Sequence, residues 1–419
     1  LKKPQWKIVS GGTNSVYIGS SKAMELFFRE KWTVLGALLL MVSTSFSKEL
    51  AEDGDDAMMK DKKVLNVFSV VRFRNDPCST GDNTNGTCYT TDECTARGGT
   101  PSGDCASGYG VCCVFTFSCG QTSAENCTYF IGQNVPDGQC RLEICPCSDN
   151  ICQLRLDFTT FDITGPSTNT ISVGKNAALK EVTNEQRCLT DTFAVTNPGG
   201  ASPPVICGMN SGEHMYVDSS EQCNELAFNL QGANARQMWN IKITQFSCDF
   251  DNLAPEGCTQ YFFGSNTGIV KTYNFDGGQH LDNQNQRICV RRERGNCRIC
   301  WTATADTDFE LTGDLTKSIA DGKCCGDGPA NGGVSGTDCV IIPGASKEVD
   351  MKDLVKVAAL GLCGGKFGSK DNQKAHKTIC SMILPFNIRF LSDTFETSGV
   401  EKGKQPNGFK LSYKMRACT

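Results

Sequence analysis

Twenty-six cysteines in a chain of 419 residues, every one at or after Cys78, exclude a thiol-kept cytosolic enzyme and point to an oxidising compartment. Three histidines, His214, His280 and His376, stand far apart and leave little for His-based metal or nucleophilic chemistry. A net charge of −5, from 41 basic and 46 acidic residues, disfavours nucleic acid as a partner.

The chain opens on Leu1, and its first plausible start is Met24. From there a weakly charged MELFFREKW, the apolar run over residues 33–42, and the small residues Ser45 and Ser47 have the three-part layout of a secretory signal peptide. Residues 24–47 are therefore read as that peptide, cleaved after Ser47, and residues 1–23 as sequence upstream of the start. The apolar run is short for a bilayer core of about 30 Å, so a membrane anchor is the second reading and no span is expected in the mature chain. Removing residues 1–47 moves the charge to −9, 35 basic against 44 acidic.

Residues 48–77 divide into a charged linker, KELAEDGDDAMMKDKK, and a run rich in β-branched and aromatic residues over 64–75 that predicts a strand ending at the turn signal Asn75-Asp76-Pro77. Residues 78–113 carry Cys78, Cys88, Cys94, Cys105, Cys112 and Cys113 among few large apolar side chains. Such a segment cannot make a core, so three disulfides, each contributing about 2–4 kcal/mol, must stabilise it. The adjacent Cys112 and Cys113 are expected to take different partners. Six cysteines closing in a Cys-Cys pair resemble an arthropod clip domain, although the stretch from Cys94 to Cys105 is short for that family.

The remainder holds a diverged repeat of domain size. Phe117-Ser118-Cys119 with Cys127 recurs as Phe246-Ser247-Cys248 with Cys258; Ile144-Cys145 recurs as Ile288-Cys289, FDITG as FELTG, and Ile206-Cys207-Gly208 as Leu362-Cys363-Gly364. Each copy is rich in short alternating segments. In CQLRLDFTTFDI, for example, Leu154, Leu156 and Phe158 share one face and Arg155 and Asp157 the other. This predicts an all-β fold of tandem antiparallel sandwiches, residues 114–248 and 249–419, behind the small disulfide-rich module. Cysteine parity, six, ten and ten, permits complete pairing within each part.

Several features in order, CQLRLDFTTFDI, Cys188 to Val195 and Ile206-Cys207-Gly208 in the first copy, CRICW, Asp338 to Gly344, Phe390 to Asp393 and Gly408 to Tyr413 in the second, resemble CUB domains. The whole chain is similar to secreted arthropod CUB-domain proteins with a clip-like module in front. The resemblance implies a jelly-roll-like sandwich, extracellular recognition, and pairing of Cys188 with Cys207. Many CUB domains hold calcium at one end of the sandwich through a Glu and two Asp. Asp191 matches one ligand in the first copy, where Thr164 stands in place of the expected Glu and no Asp follows Phe228, so no such site is expected there. Asp338 and Asp393 match two in the second, where Thr312 stands in its place and Glu310 lies nearby, and a calcium site stands as the alternative to Asp residues that simply end strands and turns. No other cofactor is expected.

Asn85 and Asn126 begin N-glycosylation sequons, and Asn85, expected in a Gly/Asn-rich loop, is the better acceptor, since Asn126 precedes Cys127. Cys297-x2-Cys300 and Cys145-x-Cys147 read as structural bridges rather than redox or zinc motifs. The run QRICVRRERGNCRIC places Arg291, Arg292 and Arg294, with Arg287 and Arg298, on an expected cystine-pinned hairpin that could dock a carboxylate-rich or sulfated partner or simply solvate an exposed edge. No hydrolase, HEXXH or phosphate-loop motif occurs, so no enzyme is expected. The sequence thus points to a secreted, non-catalytic protein that binds an extracellular protein or glycan through its sandwiches. A non-catalytic regulator of a protease cascade and a structural component of matrix or cuticle are the alternatives.

Overall fold

The computed structural model describes residues 72–135, 138–172, 182–231, 237–311, 324–325, 338–348, 354–356, 361–368, 375–393 and 406–418. The expected signal peptide, most of the linker and Thr312 lie outside these residues, as do residues 64–71 of the expected first strand. Residues 72–76 are not in a strand. Pairing begins instead at Pro77, beyond the turn signal, where β1 (Pro77–Ser79) runs antiparallel to β2 (Asn85–Tyr89). Phe73 is half-buried, its ring against Gly110 beside the Cys88–Cys105 bridge, and it is the bond from Cys78 to Cys112 that ties β1 down.

A short helix, α1 (Thr91–Ala96), follows; the Thr90 hydroxyl caps it by accepting from the Glu93 N–H at 3.2 Å, and Asp92 and Glu93 suit the positive end of its dipole. β3 (Thr100–Cys105) and β4 (Gly110–Phe117) complete the module. Its bonds are Cys78–Cys112, Cys88–Cys105 and Cys94–Cys113. Successive side chains of a strand point to opposite faces, which is why the neighbours Cys112 and Cys113 reach different partners. β4 does not stop where the cysteines do. Its first half pairs with β2 and β3, and Phe115 to Phe117 pair in parallel with β6 (Thr128–Gln133), so one strand belongs to both the module and the sandwich behind it.

The first sandwich is built from β5 (Gln121–Ser123), β6 (Thr128–Gln133), β7 (Gln139–Ile144), β8 (Ile151–Asp162), β11 (Thr192–Thr196), β12 (His214–Asp218), β13 (Asn224–Asn229) and β14 (Met238–Ser247), with a hairpin of β9 (Ser167–Ser172) and β10 (Val182–Arg187) set apart. One sheet runs β6-β14-β8-β12 and the other β11-β13-β7-β5. Alternation does the folding. Leu154, Leu156 and Phe158 of β8 and Trp239, Ile241 and Ile243 of β14 bury one face, against Leu142, Phe193, Leu226 and Phe228 of the other sheet. Trp239 stacks on Phe228 with ring centroids 4.0 Å apart, and each such side chain contributes about 1.5–3 kcal/mol by leaving water.

The second sandwich repeats this order. β15 (Gln260–Phe262), β16 (Thr267–Lys271), β17 (Asn285–Val290), β18 (Asn296–Thr302), β19 (Phe309–Glu310), β20 (Cys339–Ile341), β21 (Ser346–Glu348), β22 (Leu354–Lys356), β23 (Ile379–Ser381), β24 (Phe386–Leu391) and β25 (Gly408–Ala417) form sheets β16-β25-β18-β23 and β20-β24-β17-β15, the first extended by β21 and β22. β5 and β15 each pair in parallel with their neighbour, and Phe193–Ile206 bridges as Val340–Leu362 does. Cys152–Cys248 likewise matches Cys297–Cys418. Where the second copy has a cross-strand disulfide, Cys300–Cys380, the first has Arg155 opposite Tyr216 in register, the Tyr216 hydroxyl lying 3.3 Å from the Arg155 Nη1 that donates to it.

Two sequence expectations are corrected here. The arginine run is no hairpin: β17 and β18 lie in different sheets, and residues 291–295 cross between them, because Cys289 bonds Cys258 while Cys297 and Cys300 bond Cys418 and Cys380. In the first copy pairing is incomplete. Cys145 bonds Cys223, whereas Cys147 is an exposed thiol and Cys127 a buried one.

Candidate functional site

The edges of the two sandwiches meet. β12 ends one sheet of the first sandwich and β15 one sheet of the second, and an edge strand leaves backbone groups to be satisfied. The Tyr216 N–H donates to the Thr259 carbonyl at 2.8 Å; the Tyr261 N–H donates to His214 Nε2 at 3.0 Å; the Tyr273 hydroxyl donates to the His214 carbonyl at 2.9 Å. Around these bonds pack Tyr216, Phe246, Ala254, Tyr261 and the Cys258–Cys289 bridge. Tyr273 and Leu281 go further and join the buried core of the first sandwich.

Polar locks complete the junction. Gln153 both donates to the Ala254 carbonyl and accepts from its N–H, and the Asn274 N–H donates to Asn210 Oδ1 while Asn274 Oδ1 accepts from the Met209 N–H. Asn274 takes a left-handed conformation, φ 60°, and Gly208, φ 78°, lies so close that a Cβ there would overlap its amide. Glu213 accepts from Gln260 Nε2 at 2.9 Å and pairs with Lys271 Nζ at 3.1 Å; burial pushes its carboxyl up, against the pull of that ammonium. His214 is buried beside the Arg155 charge, and burial first, that charge second, hold its imidazolium down at about 3. It is therefore neutral, with Nε2 accepting.

Beside the junction lies a cleft of about 510 Å³ lined by both sandwiches, with Pro203, Pro204 and Asp218 from the first and Thr259, Asn285, Arg287 and Arg389 from the second.

Of the sequence-derived candidates, Arg287 of the arginine run lines this cleft; the others sit elsewhere. Asp191 is fully buried, with Oδ2 accepting from the Thr164 N–H at 2.9 Å, Oδ1 from the Gln231 N–H at 2.9 Å, and both facing Gln237 Nε2. Asp338, its counterpart, accepts from the Asp393 N–H at 2.8 Å and has Oδ2 3.1 Å from Nε2 of the buried His280. Among the described residues, Cys300, Glu348 and Cys380 form the grouping of three metal-capable side chains, and its two sulfurs are bonded to each other. Cys188 and Cys207 are joined. Asn85 opens β2 rather than lying in a loop, its Oδ1 accepting from the Ser79 hydroxyl at 3.0 Å. Asn126 is clamped to β14: its Oδ1 accepts from the Gln245 N–H at 2.8 Å and its Nδ2 donates to the Gln245 carbonyl at 3.1 Å. Arg291 lies over the Phe263 ring, pairs with Glu293 at 3.0 Å and reaches Asn252, while Arg292 and Arg294 are exposed.

Apart from Arg287, the junction and cleft residues escape sequence reasoning because no local periodicity marks a polar side chain buried by a neighbouring domain. A sequence signal was available for two of them: His214 and Tyr216 alternate with Met215 and Val217 in a run without Asp, Glu, Lys or Arg, as suits a strand covered on both faces, and all four are buried.

Residues 255–416 match the family model of the animal CUB domain. Among solved structures the chain is similar to the CUB1-EGF-CUB2 domain of human MASP-1/3, at 12% identity over 69% of this chain and 98% of that one, with a TM-score of 0.20. It is also similar to the full extracellular region of zebrafish Gpr126/Adgrg6, at 13% identity over 73% of this chain and 37% of that one, with a TM-score of 0.20. No curated protein matches the chain.

Proposed function

We propose that this chain is a secreted, non-catalytic recognition protein that binds an extracellular protein partner at the junction of its two sandwiches. The observation that carries the reading is the junction itself: buried hydrogen bonds and two inserted side chains, Tyr273 and Leu281, fix the sandwiches together, so the loops of both are preset around one cleft. A preset surface loses less conformational entropy on binding than a mobile one. The match to the animal CUB domain and the twelve disulfides support an extracellular setting. Among the described residues no helix is long and apolar enough to cross a membrane.

The test is affinity capture from extracellular fluid of the source on the immobilised full chain, followed by incubation of the recovered partner with it. A saturable partner recovered intact is the expected result. Recovery of the chain's own copies alone would favour a matrix role, and cleavage or modification of the partner would overturn the non-catalytic reading.

A further inference from the structure

We propose that the cleft between the sandwiches holds an acidic side chain of the protein partner, gripped by Arg287 and Arg389. Arg287 on β17 and Arg389 on β24 are direct cross-strand partners. They stand on the outward face of their sheet, since the alternating residues Ile288, Ile388 and Phe390 are buried in the core. Like charges directly opposite one another on a sheet are unfavourable, and a chain with 46 acidic residues has ample means to neutralise them. It does not do so. Arg389 Nε donates to Asn285 Oδ1 at 3.0 Å and Arg287 Nη1 to the Glu256 carbonyl at 3.5 Å, and neither guanidinium has an ion-pair partner among the described residues.

Two adjacent guanidiniums present paired N–H donors that match the two oxygens of a carboxylate. The charge on the facing wall narrows the ligand. Asp218 lines the same cleft, also without a cationic partner among the described residues, and its side chain lies against Gly200. A polymer that is anionic along its whole length meets repulsion from Asp218, which makes a sulfated polysaccharide the poorer fit. One acidic side chain with neutral neighbours satisfies the arginines and leaves Asp218 facing neutral backbone. The cleft, about 510 Å³, has room for such a side chain and the residues flanking it.

The inference rests on the recognition reading, and the two are separable. The probe is a capped peptide with a single glutamate among glycines and serines, titrated against the full chain, with heparin as the competing probe. Protection of Arg287 and Arg389 from phenylglyoxal, mapped by mass spectrometry, locates the site. The peptide is expected to shield both arginines. R287Q and R389Q should each weaken it at least tenfold without lowering the melting temperature, since each relieves a like-charge contact, and D218N should tighten it about threefold by removing a repulsive charge. Peptide binding indifferent to both arginines, no peptide binding, or tighter heparin binding that depends on the same arginines would overturn the proposal. A partner from extracellular fluid still captured by the double arginine variant overturns the cleft while keeping the recognition reading; a wild-type chain that captures nothing overturns the reading itself.

Discussion

His214 stays neutral because a charge there would be taken out of water beside the Arg155 guanidinium. With its imidazolium held at about 3 against an ordinary 6.5, the unfolded chain binds a proton between those values that the folded chain does not. This contribution to stability is complete above pH 6.5 and is lost as pH falls, by about 1.4 kcal/mol per pH unit within the window. Between pH 7 and pH 4 the urea midpoint of the wild type should therefore fall more steeply than that of H214Q, which keeps an acceptor for the Tyr261 N–H; equal slopes would remove His214 as the cause. Cysteine chemistry offers a second residue-scale test. Twelve disulfides leave Cys127 and Cys147, so thiol titration should find two groups per denatured chain and one, Cys147, in the native chain. Partial desolvation by its neighbours pushes the exposed Cys147 thiol up, and its alkylation should be slow at pH 7 and speed up with rising pH. Of the two sequons, glycopeptide mapping of secreted protein should find glycan on Asn85, whose Nδ2 has no partner among the described residues, and not on Asn126, clamped to the Gln245 backbone.

At the scale of elements, strand alternation was legible and strand partnership was not. Leu154, Leu156 and Phe158 declare their buried face by a period of two, and Ile206-Cys207-Gly208 with Leu362-Cys363-Gly364 marks equivalent places in the two copies. Two cysteine matches are corrected by the bridges: Cys119–Cys140 is the counterpart of Cys258–Cys289, so Cys258 answers Cys119 rather than Cys127, and Cys289 answers Cys140 rather than Cys145. That β17 and β18 separate into different sheets is decided by distant cystines, which local pattern does not carry. Partnership also explains two glycines inside strands. Gly132 lies opposite Trp239, and Gly268 opposite Tyr413, each with the aromatic ring laid over the bare backbone. G132A and G268A would drive a methyl into those rings and should each cost about 1–3 kcal/mol in urea unfolding. G165A, whose methyl would meet nothing nearer than the Gly208 Cα at 3.9 Å, is the control expected to cost far less.

For the whole molecule, the described residues fall within a single compact unit, and its continuity has two causes: β4 shared between the cysteine module and the first sandwich, and the junction between the sandwiches. The second was invisible beforehand because Gln153, His214 and Glu213 look like ordinary surface residues of their own sandwich until Ala254, Tyr261 and Lys271 arrive from the other. The Arg287–Arg389 pair was hidden for the same reason, two charges brought into register by tertiary pairing alone. Tyr273 and Leu281 make the first core incomplete without the second domain, so the two should unfold together. Each sandwich carries one buried tryptophan, Trp239 in the first and Trp301 in the second. In the full chain with Trp6 and Trp32 replaced by phenylalanine, W301F reports the first sandwich and W239F the second. Urea unfolding of each, followed by tryptophan fluorescence and by far-ultraviolet circular dichroism on the same sample, should give coincident curves; a fluorescence transition clearly separated from the circular dichroism curve in either variant would show two independent domains and contradict the rigid junction on which the recognition reading stands.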